Sequence, residues 1–166
     1  MANLNHLETA RFGAIAGAAG GLAEIAWVTL YAGVTGGNAA VLARGVTTAA
    51  GLASLFPSLS AALGVALHMT LAVGLGIALA FAWRGFSYRF QAVRPFPLVL
   101  AALAGVWVIN FFVVLPIVSP AFVHLMPYSV SLISKMLFAL AAAEALRLQH
   151  VAMRQADEVG FARSSS

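Results

Sequence analysis

Residues 61–83, AALGVALHMTLAVGLGIALAFAW, run for more than twenty positions without an aspartate, glutamate, lysine or arginine. At about 1.5 Å of rise per residue, one helix of this length crosses a hydrocarbon core about 30 Å thick. His68 interrupts the run. An ionisable side chain inside a membrane span is costly unless it has a partner, so it marks a packing or functional role.

Three more apolar segments have a similar length: residues 12–35, 98–119 and 128–148. With 62% hydrophobic and 8% charged residues, against about 25% charged in a soluble domain, lipid must solvate most of the surface. The pattern predicts an all-α polytopic membrane protein, a four-transmembrane-helix bundle with residues 1–166 as a single integral membrane domain. The bilayer is then its first partner. The net charge of +4 comes from arginines scattered at segment ends rather than clustered, which argues against a nucleic-acid partner. The chain has no cysteine, which excludes disulfides and thiolate-held cofactors.

The first apolar run has no basic stretch ahead of it and is too long for a signal-peptide core, so it reads as a retained span. Asn3, Asn5 and Glu8 are candidate caps at its start. Counting arginines fixes an orientation. With a cytoplasmic N-terminus the inner side carries Arg11, Arg84, Arg89, Arg94, Arg147, Arg154 and Arg163, and the outer side only Arg44. The positive-inside bias predicts a multi-pass protein of a cell inner membrane with both termini cytoplasmic. Trp83 and Tyr88 suit the aromatic belt. Residues 149–166 read as a cytoplasmic tail, helical only at its start.

Residues 36–57 form the longest connection. Gly36-Gly37-Asn38 is a breaker with a possible N-cap. Leu42, Val46, Ala49, Ala53 and Phe56 then recur at helical spacing, with Arg44, Thr47, Thr48 and Ser54 on other faces. This predicts an interfacial or re-entrant amphipathic helix between the first two spans, ended by Pro57; a plain surface loop is the alternative. Residues 119–127, with His124 and Met126, read as a short uncharged turn.

Small residues set the expected packing. Gly13, Gly17 and Gly21 share one face of the first span with Glu24, and Gly64, His68, Ala72 and Gly76 follow one another every four residues in the second. Such small-xxx-small stripes let helices approach closely. The face on the first helix, and an alanine-rich fourth helix, are also candidate docking faces for other membrane subunits or a second copy of the chain.

Depth arithmetic links the awkward polar residues. Glu24 and Asn110 each lie roughly 18 Å up their spans from the cytoplasmic edge, and His68 and Lys135 lie roughly 10 Å below the outer edge of theirs. All four therefore share a level. An unpaired mid-membrane charge costs at least about 2.5–3.5 kcal/mol on insertion scales. The layer Glu24, His68, Asn110 and Lys135 thus reads either as glue that registers the helices or as a proton relay or ligand pocket.

Other chemistry finds little support. His68-Met69 and His124 near Met126 suggest Cu(I) ligands, but adjacent helical residues point about 100° apart and the two histidines sit at different depths. No metal and no cofactor is expected. Ser131 lies one turn from Lys135, as in a Ser/Lys pair, yet no phosphate loop, zinc motif or nucleophile elbow accompanies it. An enzyme is not expected. Glu144 and Arg147 should form an ordinary i,i+3 pair.

His68 in HMTLAVGLGIALAFAW, followed by AALAGVWVINFFVVLPIVSPAF, resembles the YagU-like small inner-membrane proteins over about residues 61–145. The resemblance implies a bacterial inner-membrane protein with a link to acid tolerance. Lys135 departs from that pattern, which would place a second histidine in the last span. The expected function is an accessory or assembly subunit held together by its polar layer. The alternative is a proton-coupled small transporter or channel, or a ligand-binding membrane protein, using Glu24, His68 and Lys135.

Overall fold

The computed structural model describes residues 6–89 and 95–164, with side chains at 6–86 and 96–149. Asn3, Asn5 and Arg94 lie outside the described residues, as do the side chains of Tyr88, Arg89, Arg154 and Arg163. Every regular element among them is helical. The chain runs through α1 (His6–Val34), α2 (Ala39–Ala49), a single 3-10 turn (Pro57–Leu59), α3 (Ser60–Arg89) and α4 (Pro95–Ile109). A π-helical turn (Asn110–Val114), α5 (Leu115–Val118), α6 (Pro120–Val123) and α7 (Tyr128–Ser164) follow. Four stretches, His6–Val34, Pro57–Phe86, Phe96–Val118 and Tyr128–Gln149, are long and apolar enough to cross a membrane. Large apolar side chains stand exposed along them, Leu71 and Ile117 among the most open, as a lipid-facing surface requires.

The breaker between α1 and α2 works through glycine. Gly36 adopts φ 72°, and the Gly37 N–H donates to the Ala32 carbonyl at 2.8 Å, closing α1 in a Schellman-type turn. Asn38 then caps α2, its side chain accepting from the Ala40 N–H at 2.9 Å. The same device ends α2. Gly51 has φ 73°, and Leu52 donates to Thr47 and Gly51 to Thr48. Pro57 therefore does not stop this helix, as its sequence position suggests. It opens the 3-10 turn that leads into α3, where a missing N–H costs nothing.

Four further expectations change. α1 begins at His6, ahead of the apolar run, and α7 stays helical to Ser164 rather than fraying soon after residue 149. The turn at 119–127 contains the short helix α6. The third span is not a uniform α-helix: its ladder widens over Asn110–Val114, where the Leu115 N–H reaches the Asn110 carbonyl. Pro116 supplies the reason, because its ring has no N–H and crowds the carbonyl four residues back, so the preceding turn opens.

Packing follows the small residues. α1 lies between α3 and α7, and α4 lies against the other side of α7. A Cβ at Gly17 would collide with the Ala72 carbonyl, and one at Gly76 with the Gly17 backbone. These two glycines thus set the α1–α3 distance. Gly64 plays the same part for α2, whose Ala43 carbonyl occupies the space of its missing side chain. The Thr47 hydroxyl reinforces that contact by donating to the Ser60 carbonyl. Gly13 and Gly21 also face α3. The stripe on the first helix, expected as a possible docking face, is therefore occupied within the chain. The alanine-rich face of α7 is occupied too: Ala139, Ala142 and Ala143 are buried in the main core with Leu79, Val99 and Leu103. That core joins all four long helices at the end of the molecule that holds the termini. Toward the opposite end a cavity opens, lined by residues of α1, α2, α3, α7 and the third span.

Candidate functional site: a polar floor beneath a membrane-depth cavity

Each of the four long helices sends one of the expected layer residues to this cavity. Glu24 comes from α1, His68 from α3, Asn110 from the π turn and Lys135 from α7. Glu24 is the hub. It is 3% exposed, and its Oε1 lies 2.7 Å from Lys135 Nζ. The Ser134 hydroxyl approaches the same oxygen at 3.4 Å. His68 Nε2 faces the other oxygen, Oε2, at 3.4 Å. That separation is too long for a good hydrogen bond, and both atoms are buried without one.

The local geometry explains why these residues meet. Gly17 and Gly76 bring α1 and α3 to backbone contact just below, which leaves Glu24 and His68 within one side-chain length. Gly20 admits the Phe138 ring against α1, which positions Lys135 one turn along α7. The Lys135 ammonium also lies 5.7 Å from the centre of that ring, a favourable place for a cation. Lys135 and His68 keep 18% and 28% of their side-chain surface open, so they, rather than Glu24, present atoms to the cavity.

Asn110 lines the same cavity and no contact joins it to the Glu24 carboxylate among the described hydrogen bonds. It occupies the first position of the π turn. It faces the cavity from this widened turn, six residues ahead of Pro116. Ser134 was not singled out from the sequence. Its signal was available, since it adjoins Lys135 and shares that side of α7.

Ser131 does not act as the partner of Lys135. It donates to the Tyr128 carbonyl at 2.9 Å and accepts from the Trp107 indole N–H at 3.0 Å. Both hydrogen-bonding roles are thereby filled, and Lys135 is committed to Glu24. The Ser/Lys geometry suggested by spacing is absent. A second indole, Trp27, donates to the Val130 carbonyl at 3.1 Å and ties α1 to the start of α7. Glu144 and Arg147 pair on the exposed face of α7, with contacts of 2.6 and 2.8 Å. Among the described residues, no three His, Asp or Glu side chains gather as a metal site would need.

The cavity measures about 870 Å³, within the range of small-molecule sites. Apart from the polar floor its walls are mainly apolar, with Thr29 and Thr70 among them. Val65 and Leu71 come from α3, Val106 and Val114 from α4 and the π turn, and Leu42 and Val46 of α2 cover one end. Phe122 of α6 and Met126 close the same end. Comparison with known protein families, curated proteins and solved structures finds no match. The functional reading therefore rests on the geometry of this floor and cavity.

Proposed function

We propose that this chain is an integral membrane protein that binds a small bilayer-soluble molecule in the cavity above Glu24, His68, Asn110 and Lys135. The observation that carries this reading is the pairing of a large apolar cavity with a few convergent polar groups. Purely structural glue accounts for the Glu24–Lys135 contact, but it does not account for empty volume beside it. The proposed chemistry is binding; Ser131, the nucleophile that its spacing from Lys135 suggests, is engaged with Tyr128 and Trp107.

In this reading the protein sits in a bacterial inner membrane with both termini cytoplasmic, as the arginine distribution and the YagU-like resemblance imply. α2 then lies at the outer interface, its apolar side over the cavity and Arg44 toward water. A second reading, an accessory or assembly subunit, is favoured by one observation: the Glu24–Lys135 ion pair with Ser134 fastens α1 to α7. That function makes the polar layer a scaffold and leaves the cavity unused. Proton movement between Glu24 and His68 is compatible with the binding reading and is not needed for it.

The deciding experiment is extraction of the protein purified from its membrane in mild detergent, followed by mass spectrometry of the organic phase. A compound retained near one per chain, and lost from a folded Val106→Trp variant whose cavity is filled, supports the binding reading. Only bulk lipid, equal in both proteins, overturns it in favour of the scaffold.

A further inference from the structure

The cavity is asymmetric in a way that specifies its occupant. Its polar groups lie at the deep end. His68 and Lys135 are roughly 10–12 Å along their helices from Ser60 and Tyr128, where α3 and α7 begin. The shallow end, toward α2 and α6, is walled by Leu42, Val46, Phe122 and Met126. An ordinary membrane lipid is built the other way, with its charged head at the surface and its chains at depth. To use this floor, a molecule must carry its polar head into the apolar layer and leave its hydrocarbon behind it.

The floor also specifies the head. Glu24 and Lys135 balance one another's charge at 2.7 Å, so with a neutral imidazole the site offers no net charge to an ion. The hydrogen-bonding capacity left facing the cavity includes four N–H bonds beside the Asn110 carbonyl oxygen, while the unbonded Glu24 Oε2 is buried beneath. Lys135 has three N–H bonds, Glu24 Oε1 takes one, and the Asn110 amide carries two more. Such a floor suits an uncharged acceptor. Desolvating a phosphate at this depth costs far more than desolvating a carbonyl. The mouth points to the route: Leu71 of α3 and Val118 of α5 both line the cavity and are 69% and 56% exposed. That opening faces the side of the helices, where lipid lies.

We infer that the cavity takes an uncharged, carbonyl-headed amphiphile, which enters from the lipid between α3 and the third span and places its carbonyl against Lys135 and Asn110. The inference rests on the binding reading above and adds to it the class of head and the route.

The test uses the full chain in nanodiscs and tritiated decyl-benzoquinone as the probe. The competitors are 2-undecanone, dodecyl phosphate and dodecane. The expected result is saturable binding of the probe, displaced by 2-undecanone and at least about tenfold less well by dodecyl phosphate or dodecane. Asn110→Leu removes one neutral hydrogen bond and should weaken the probe by about twofold to tenfold. Leu71→Trp narrows the mouth without touching a polar group, and should slow association while leaving the thermal unfolding midpoint in place. Dodecyl phosphate competing as well as 2-undecanone overturns the uncharged head but leaves a binding protein. Equal competition by dodecane, with Asn110→Leu unchanged, shows a groove that merely holds hydrocarbon, and overturns the inference. Absence of saturable binding by all of these in folded protein overturns it as well; the extraction experiment then decides separately whether the cavity holds any ligand.

Discussion

Glu24 Oε1 and Lys135 Nζ stand 2.7 Å apart, one on the first long helix and the other on the last. The contact ties the two ends of the chain together at membrane depth. Neither charge is tolerable there alone, so each residue explains the other. The pair also forms one side of the cavity floor.

Removing one member should cost more than removing both. Lys135→Met leaves a buried carboxylate unpaired, and loss of one partner of a buried pair typically costs about 3–5 kcal/mol. The double change Glu24→Gln with Lys135→Met removes the stranded charge and should recover most of that loss. Unfolding of Lys135→Met, Glu24→Gln and the double variant in detergent gives the coupling energy. A double variant as unstable as Lys135→Met contradicts the assignment.

Gly17 and Gly74 should respond oppositely to alanine. A Cβ at Gly17 meets the α3 backbone, whereas one at Gly74 meets nothing within 4 Å. Gly17→Ala is expected to destabilise by about 1–3 kcal/mol, the usual cost of overpacking. Gly74→Ala should be neutral or slightly stabilising, since alanine is the better helix former. Thermal unfolding of the two variants measures the difference.

Ser131→Ala should strand the Trp107 indole N–H. An unsatisfied buried donor costs about 1–3 kcal/mol, and the Trp107 emission should shift as its partner is lost. Lys135 keeps Glu24 in this variant, so binding of a cavity ligand should change less than stability. The opposite order would restore a functional Ser/Lys pair.

Pro116→Ala should let the third span close its ladder. The widened turn at Asn110–Val114 has Pro116 as its cause, and a regular helix in its place turns Asn110 away from the cavity. A structure of the variant, or loss of probe affinity comparable with that of Asn110→Leu, checks this. Persistence of the π turn would mean that packing, not proline, maintains it.

The absence of native cysteine makes topology directly measurable. Ser58→Cys, in the connection between α2 and α3, should react with a membrane-impermeant maleimide in intact cells. Ser166→Cys should react only after lysis. The reverse pattern would invert the orientation drawn from the arginines.

Much of this molecule is legible in its sequence because the constraint is energetic and local. A charge-free run longer than twenty residues has few homes besides lipid, and the helix is the only open segment that satisfies its own backbone there. Depth is legible for the same reason, since rise per residue is constant. Glu24, His68 and Lys135 could therefore be placed at one level before any contact was known. Glycine spacing marked the α1–α3 face, although it did not show whether the partner was α3 or another chain.

What the tertiary structure alone decided is azimuth and emptiness. Whether Ser131 turns to Lys135 or to Trp107 depends on where α4 lies, and no spacing within α7 records that. Asn110 reaches the cavity from a widened turn that no helical spacing records. The cavity is walled jointly by α1, α2, α3, α7 and the third span, so it belongs to no single segment. The sequence by itself determined which residues must be hidden from lipid and at what depth. Only the packing of the helices determined which of them touch, and which were left facing open space.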